Sequence, residues 1–178
     1  MDRRRGLLGV IVGAISIALV FALTGGTAMA KKKKTYRLNA TLSGAVEVPP
    51  GDLDGSGTAD FKLTTRKGRP KGKVCMDSTF QGIVDPTAAH IHPGGPGETG
   101  PPAVPFFEGT AMASPIDICV KAKRSLVKDI GKNPGDYYVN LHNGDFPEGA
   151  LRGQLEKGRS GGSSGGGVPD GGGTGDPY

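Results

Sequence analysis

Three histidines, His90, His92 and His142, are the residues of this chain whose types and spacing best suit metal chemistry. His90 and His92 alternate about Ile91, so in a β-strand both imidazole rings leave the same face. A His-x-His pair with one distant histidine suits zinc or copper. The spacing therefore predicts a candidate metal site.

The third histidine, His142, ends a strand-like run that begins at Tyr137. If Val139 and Leu141 face the core, His142 leaves the opposite face, as His90 and His92 do. The sequence does not fix whether the two strands are neighbours. The alternative is that the histidines hydrogen-bond to the loop after Pro93 and to the segment 143–148.

The only two cysteines, Cys75 and Cys119, lie in two strand-like runs. A lone pair of cysteines in an exported chain tends to form a disulfide. Closing a loop of about 45 residues stabilises a fold by roughly 4 kcal/mol in the chain-entropy model. We interpret the pair as structural, because the Cys-x-x-Cys spacing of a redox dithiol is missing.

Residues for enzymatic chemistry form no complete set. The chain has no Gly-x-Ser-x-Gly nucleophile motif, and no paired acids or cofactor loop complete a catalytic group. A catalytic zinc would also require an open coordination position in a shaped pocket. The sequence therefore favours a non-enzymatic protein, with a small metalloenzyme as the alternative, in which a carboxylate such as Asp145 or Glu148 lies near the histidines.

Alternating apolar and polar residues predict the elements that must position these side chains. Half-buried strands are expected around 36–43, 59–64, 73–80, 88–92, 116–120, 137–142 and 150–155. Gly- and Pro-rich turns separate them. The pattern predicts an all-β, antiparallel sandwich or Greek-key barrel of about seven to eight strands.

One segment has helical spacing instead. Leu126, Val127 and Ile130 predict a short helix over about 125–131. Ser125 is expected to cap its start, and Gly131 to end it in a left-handed conformation.

Both ends of the chain differ from its middle. Residues 1–30 combine a basic start, an apolar run and Ala-Met-Ala, which predicts a secretory signal peptide; an uncleaved membrane anchor is the alternative. Residues 31–35 form a basic segment and 36–157 the folded domain. Residues 158–178 are rich in Gly and Ser, which predicts a disordered tail. We therefore expect a secreted or cell-surface protein.

Most of the excess positive charge of the chain lies near its N-terminus. The net charge is +5, of which residues 1–30 carry +2 and Lys31–Lys34 carry +4, leaving the rest near neutral. This distribution argues against nucleic acid as a partner. An extracellular protein or a cell-surface polymer is the expected partner, and a membrane only through an uncleaved anchor.

Three stretches together resemble the CHRD family, named for chordin. They are Ala-Thr-Leu-Ser-Gly-Ala-Val-Glu-Val-Pro-Pro at 40–50, Ala-Ala-His-Ile-His at 88–92, and Tyr-Tyr-Val-Asn-Leu-His with Gly-Ala-Leu-Arg-Gly-Gln-Leu at 137–142 and 149–155. Val46 stands where many relatives have glutamine. The resemblance implies an immunoglobulin-like or similar β-sandwich and little about function.

Glu47 and Arg152 both lie in these diagnostic segments. We predict that they form a buried pair that fixes the first strand against the last. Our first functional hypothesis is a non-enzymatic structural or interaction module. The alternative is a zinc- or copper-binding protein that uses His90, His92 and His142.

Overall fold

The computed structural model describes residues 32–158, which contain nine β-strands and one α-helix. The strands are β1 (Lys33–Ser43), β2 (Ser56–Arg66), β3 (Lys71–Gln81), β4 (Ala88–Pro93), β5 (Val104–Glu108), β6 (Ile116–Lys123), β7 (Tyr137–His142), β8 (Leu151–Gln154) and β9 (Glu156–Lys157). The helix α1 spans Arg124–Ile130. The predicted signal or anchor and the predicted tail after Gly158 lie outside the described residues. Within the described part, no helix has the length and apolar character needed to cross a membrane.

The strands form one antiparallel sheet in the order β5-β4-β7-β8-β1-β2-β3-β6, and β9 pairs with β1. The two end strands, β5 and β6, approach each other, so the sheet curls into a nearly closed barrel. The prediction of an all-β, antiparallel fold with one short helix is confirmed. Of the two architectures expected, the single continuous sheet corresponds to the barrel.

Alternation along the strands builds the core inside this barrel. In β1, Leu38, Ala40 and Leu42 are buried while the residues between them are exposed. In the paired strand β2, Phe61 and Leu63 are buried in the same way. The long hairpin therefore has one apolar face and one polar face, as its sequence pattern predicts.

Helix α1 is present, but both of its predicted end signals are wrong. The residue that caps its start is Lys123, with no side-chain hydrogen bond, and Ser125 lies inside the helix. Gly131 has φ −70°, which is ordinary right-handed backbone. The reason for a glycine there is space, because a Cβ would overlap the ring of Tyr36.

The strand β5 had no counterpart among the predicted strands. It follows the long Gly/Pro loop and contains Pro105, which obscures the alternation of Val104 and Phe106. Pro105 is tolerated because β5 lies at the edge of the sheet, where a missing N–H costs no ladder hydrogen bond.

The two cysteines form a disulfide between directly opposed positions of β3 and β6. Cys119 is exposed and Cys75 is half-buried. The bond therefore ties two neighbouring strands together on the outward face of the sheet.

Candidate metal centre

The three histidines lie on two neighbouring strands, β4 and β7. His92 is directly opposite Tyr138, and His142 is opposite Ala88, two residues before His90. Ile91 points into the core between the two β4 histidines and is fully buried. The sheet therefore brings all three imidazole rings to one non-core face, as the alternation predicts.

The rings meet closely on that face. His90 Nδ1 lies 3.2 Å from His142 Nε2. One nitrogen from each of His90, His92 and His142 lies within 4.8 Å of the other two. Tetrahedral coordination with metal–nitrogen bonds of about 2.0–2.1 Å places ligand nitrogens about 3.4 Å apart. The His90–His142 pair already has this spacing.

In two of the rings, a hydrogen bond of the Nδ1 atom, which points away from the cluster, determines the tautomer. His92 Nδ1 lies 2.8 Å from the carbonyl oxygen of Gly100, and His142 Nδ1 lies 3.0 Å from that of Pro147. Because a carbonyl oxygen only accepts hydrogen bonds, each Nδ1 must carry a proton. The Nε2 atoms of the neutral rings are therefore unprotonated.

The third ring is oriented by a carboxylate. His90 Nε2 donates to Glu108 Oε1 at 2.9 Å, which leaves the lone pair of a neutral His90 on Nδ1. That lone pair faces the unprotonated Nε2 of His142. Two lone pairs at this distance repel unless a proton or a metal ion lies between them.

Burial keeps two of the histidines neutral. Removal from water lowers the pKa of His92 and of His142 below the usual 6.5, and the positive charge of neighbouring histidines lowers both further. Contacts with the Gly100 and Pro147 carbonyls oppose the shift. At neutral pH both rings are unprotonated at one nitrogen and can act as metal ligands.

The Gly/Pro loop of residues 94–101 covers the same face. Besides accepting from His92, Gly100 donates its N–H to the hydroxyl of Tyr138 at 3.3 Å. Arg152 Nη2 donates to the carbonyl of Gly95 at 2.8 Å. His90 and His92 are consequently only 6% exposed, although they do not face the core.

Comparison with known proteins assigns the chain to a family. Residues 38–155 match the model of the CHRD domain, which is about two thirds of the chain. The chain belongs to the CHRD family. No curated protein and no solved structure is detectably similar to it.

In this CHRD domain, the predicted Glu47–Arg152 pair lies beside the histidine cluster. Both side chains are buried, with exposed fractions of 4% and 2%. Burial raises the pKa of Glu47, and the charge of Arg152 partly opposes the rise. Their charged groups form no direct ion pair among the described residues. Glu47 Oε1 instead accepts from Val48 N–H, and Arg152 Nη2 donates to the carbonyl of Gly95.

The last segment of the CHRD match, residues 149–155, packs against Glu47 and contains Arg152. Arg152 pairs with Ser43 across β8 and β1, so the last part of the domain is joined to the first. Gly149 has φ +150°, and a side chain there would overlap the carboxylate of Glu47.

Sequence reasoning missed two residues of the site. Glu108 is the carboxylate beside the histidines, whereas Asp145 and Glu148 were the expected ones; Glu148 contributes only a charge near His142. Tyr138 lies directly opposite His92, and the sequence pattern indicated no role for it. The missed signal for Glu108 was the strand β5 itself, which pairs with β4 and so carries Glu108 to the cluster.

Proposed function

We propose that this CHRD domain is an extracytoplasmic metal-binding domain that holds one zinc or copper ion through His90 Nδ1, His92 Nε2 and His142 Nε2. The observation that carries the proposal is the convergence of one nitrogen from each of the three histidines, whose opposite ring nitrogens all lie within hydrogen-bond distance of an oxygen atom. A disulfide and membership of the CHRD family support a location outside the cytoplasm.

The outer contacts match those that metal-bound histidines need. A ligating histidine normally donates its second N–H to a carbonyl or a carboxylate, which fixes the ring and raises its basicity. Gly100, Pro147 and Glu108 provide two carbonyls and one carboxylate in these positions. The ring orientations are therefore set by the domain before any ion binds.

A buried nitrogen without a hydrogen-bond partner also favours a metal ion at the histidine cluster. His92 Nε2 is buried, and no other atom of the described residues hydrogen-bonds to it. A buried polar atom without a partner costs free energy. A metal ion that accepts the lone pair of His92 Nε2 removes this cost.

The ligand set selects a class of metal. Three neutral imidazoles suit zinc and copper, whereas calcium and magnesium require oxygen ligands. Three protein ligands leave a fourth position of a tetrahedral ion for water or another small ligand.

The test measures metal content. It distinguishes histidines that bind a metal ion from histidines that only hydrogen-bond to the neighbouring loops. The full-length chain is loaded with zinc or copper, desalted and analysed for bound metal, with the expected result of one ion per chain. Copper(II) loading should give an electron paramagnetic resonance spectrum with nitrogen hyperfine structure. Wild-type protein that is folded and retains no stoichiometric metal would overturn the proposal.

Two replacements of His92 separate the two roles. His92→Asn keeps an N–H donor for Gly100 and removes Nε2, whereas His92→Ala removes both. We expect both variants to lose the metal, and His92→Asn to retain more of the metal-free stability. Retention of stoichiometric metal by His92→Asn would show that His92 only holds the loop.

A further inference from the structure

A basic groove lies on the outward face of the sheet, on strands β1, β2, β3 and β6, away from the strands that carry the histidines. Its volume is about 540 Å³. Seven of its eleven lining residues are lysine or arginine, all of them exposed, and none is acidic. Such a concentration of one charge creates a strong positive potential at the surface.

Pairing across the strands brings these charges close together. Lys33 lies opposite Arg66 on β1 and β2, and Lys73 lies opposite Lys121 on β3 and β6. Like charges at directly opposite positions destabilise a sheet. These two pairs therefore do not stabilise the sheet through their charges, and an anion bound in the groove would relieve the repulsion.

Negative charge is confined to a separate row of the same face. Asp60 lies opposite Asp77, which in turn lies opposite Asp117, across β2, β3 and β6. The row is two residues along the strands from Lys62 and from the disulfide of Cys75. The sheet face thus has a basic part and an acidic border, which limits where an anion can lie.

The lining also indicates what kind of anion fits. It contains no aromatic side chain on which a nucleic-acid base could stack. The exposed large apolar residues, Val46, Val48, Leu53 and Val84, are not part of it, so it offers nothing to insert into a lipid bilayer. The backbone positions of its basic residues are about 5 to 7 Å apart where they are neighbours across strands or alternate along one strand.

We propose that the groove binds a linear polyanion that carries phosphate or sulfate groups on a non-aromatic chain, such as an anionic cell-surface polymer. The polymer would be held by charge rather than by recognition of its units. Binding should therefore weaken steeply as salt rises. This site is independent of the proposed metal centre.

The test uses dextran sulfate and long-chain inorganic polyphosphate as probes of the full-length chain. Fluorescence anisotropy of labelled probe gives the dissociation constant at several salt concentrations. Lys73→Gln/Lys121→Gln should weaken binding about tenfold, a loss that two surface charge contacts can account for. The matched control Lys128→Gln/Lys132→Gln removes the same charge outside the groove lining and should change binding by less than about twofold.

Removing the acidic border gives an effect of opposite sign. Asp60→Asn/Asp77→Asn should tighten binding, because the repulsion of the polymer is reduced. Equal weakening by the groove pair and the control pair would overturn the proposal, since net charge alone would then explain binding. Tighter binding to single-stranded DNA or to anionic lipid vesicles than to both probes would overturn it in favour of another partner.

Discussion

The imidazole of His92 stacks on the phenol ring of Tyr138, with the ring centroids 4.9 Å apart and the planes inclined by 7°. The strand β7 lies between β4 and β8, so Tyr138 has His92 directly opposite on β4 and Gln154 directly opposite on β8, with Arg152 two residues from Gln154. The Arg152 guanidinium carbon lies 3.5 Å from the centre of the Tyr138 ring. Tyr138 thus connects the histidine cluster to the buried arginine.

Replacing Tyr138 should change metal affinity through the orientation of His92. Tyr138→Leu removes the stacked ring, and we expect zinc affinity to fall by about tenfold or more, as for losses of outer contacts at other metal sites. Tyr138→Phe keeps the stack and removes only the acceptor for Gly100 N–H. It should stay within about threefold of the wild type.

Competition with a zinc-binding dye measures both affinities. If Tyr138→Leu binds zinc as tightly as the wild type, the ring does not position His92.

Replacing Arg152 with methionine should destabilise the domain. The guanidinium is buried and lies near Glu47, whose carboxylate is also buried. Loss of one partner leaves the other charge uncompensated, at a cost of about 3 kcal/mol in the free energy of unfolding. Urea denaturation of Arg152→Met measures the loss, and a wild-type melting temperature would show that Arg152 does not offset the buried charge of Glu47.

The loss of stability in Arg152→Met should depend on pH, because the carboxyl group of Glu47 changes its charge. Burial raises the pKa of Glu47 in the folded state, so folding is favoured when the carboxyl is protonated and disfavoured as pH rises through that pKa. Without Arg152 the pKa rises further. The deficit of Arg152→Met should therefore shrink as pH is lowered through the raised pKa of Glu47, and a second replacement, Glu47→Gln, should abolish this dependence.

The strand pattern could be predicted because alternation reports which face of a strand is buried. In β1, Leu38, Ala40 and Leu42 are the buried apolar residues of the alternation, and in β2 the corresponding residues are Phe61 and Leu63. The same rule placed His90, His92 and His142 on one type of face. That part of the site depends only on local backbone geometry.

The remaining features depend on contacts between distant residues. Glu108 reaches His90 because β5 pairs with β4, which Pro105 and the adjoining loop conceal in the sequence. His90 and His92 are buried because the loop of residues 94–101 folds over them. Alternation does not report how loops pack, so the burial of the polar face could not be predicted.

Adding a methyl group at Gly131 should destabilise the domain, although alanine usually favours a helix end with right-handed backbone. The Cβ of Gly131→Ala would overlap the ring of Tyr36. We expect a loss of about 1–3 kcal/mol, as for overpacking in a core. Gly135→Ala is the matched control, because no atom lies within 4 Å of its Cβ position. Thermal denaturation that finds Gly131→Ala as stable as Gly135→Ala would exclude the overlap.

The phenol of Tyr137 should ionise at unusually high pH. Burial, together with the hydrogen bond that its hydroxyl donates to Asp129 Oδ2 at 2.7 Å, raises its pKa from 10.0 to about 12. The folded state therefore binds the phenolic proton more tightly than the unfolded state. The stabilisation is fully present below pH 10 and is lost as pH rises through about 12.

Ultraviolet titration of the wild type minus Tyr137→Phe isolates this group. The difference curve should have its midpoint near 12, and a midpoint near 10 would contradict the hydrogen bond to Asp129. At neutral pH, Tyr137→Phe should lower the free energy of unfolding by about 1 kcal/mol, the usual loss for one hydrogen bond. Asp129 Oδ1 still accepts from Asn133 in this variant, which keeps the loss moderate because part of the carboxylate remains satisfied.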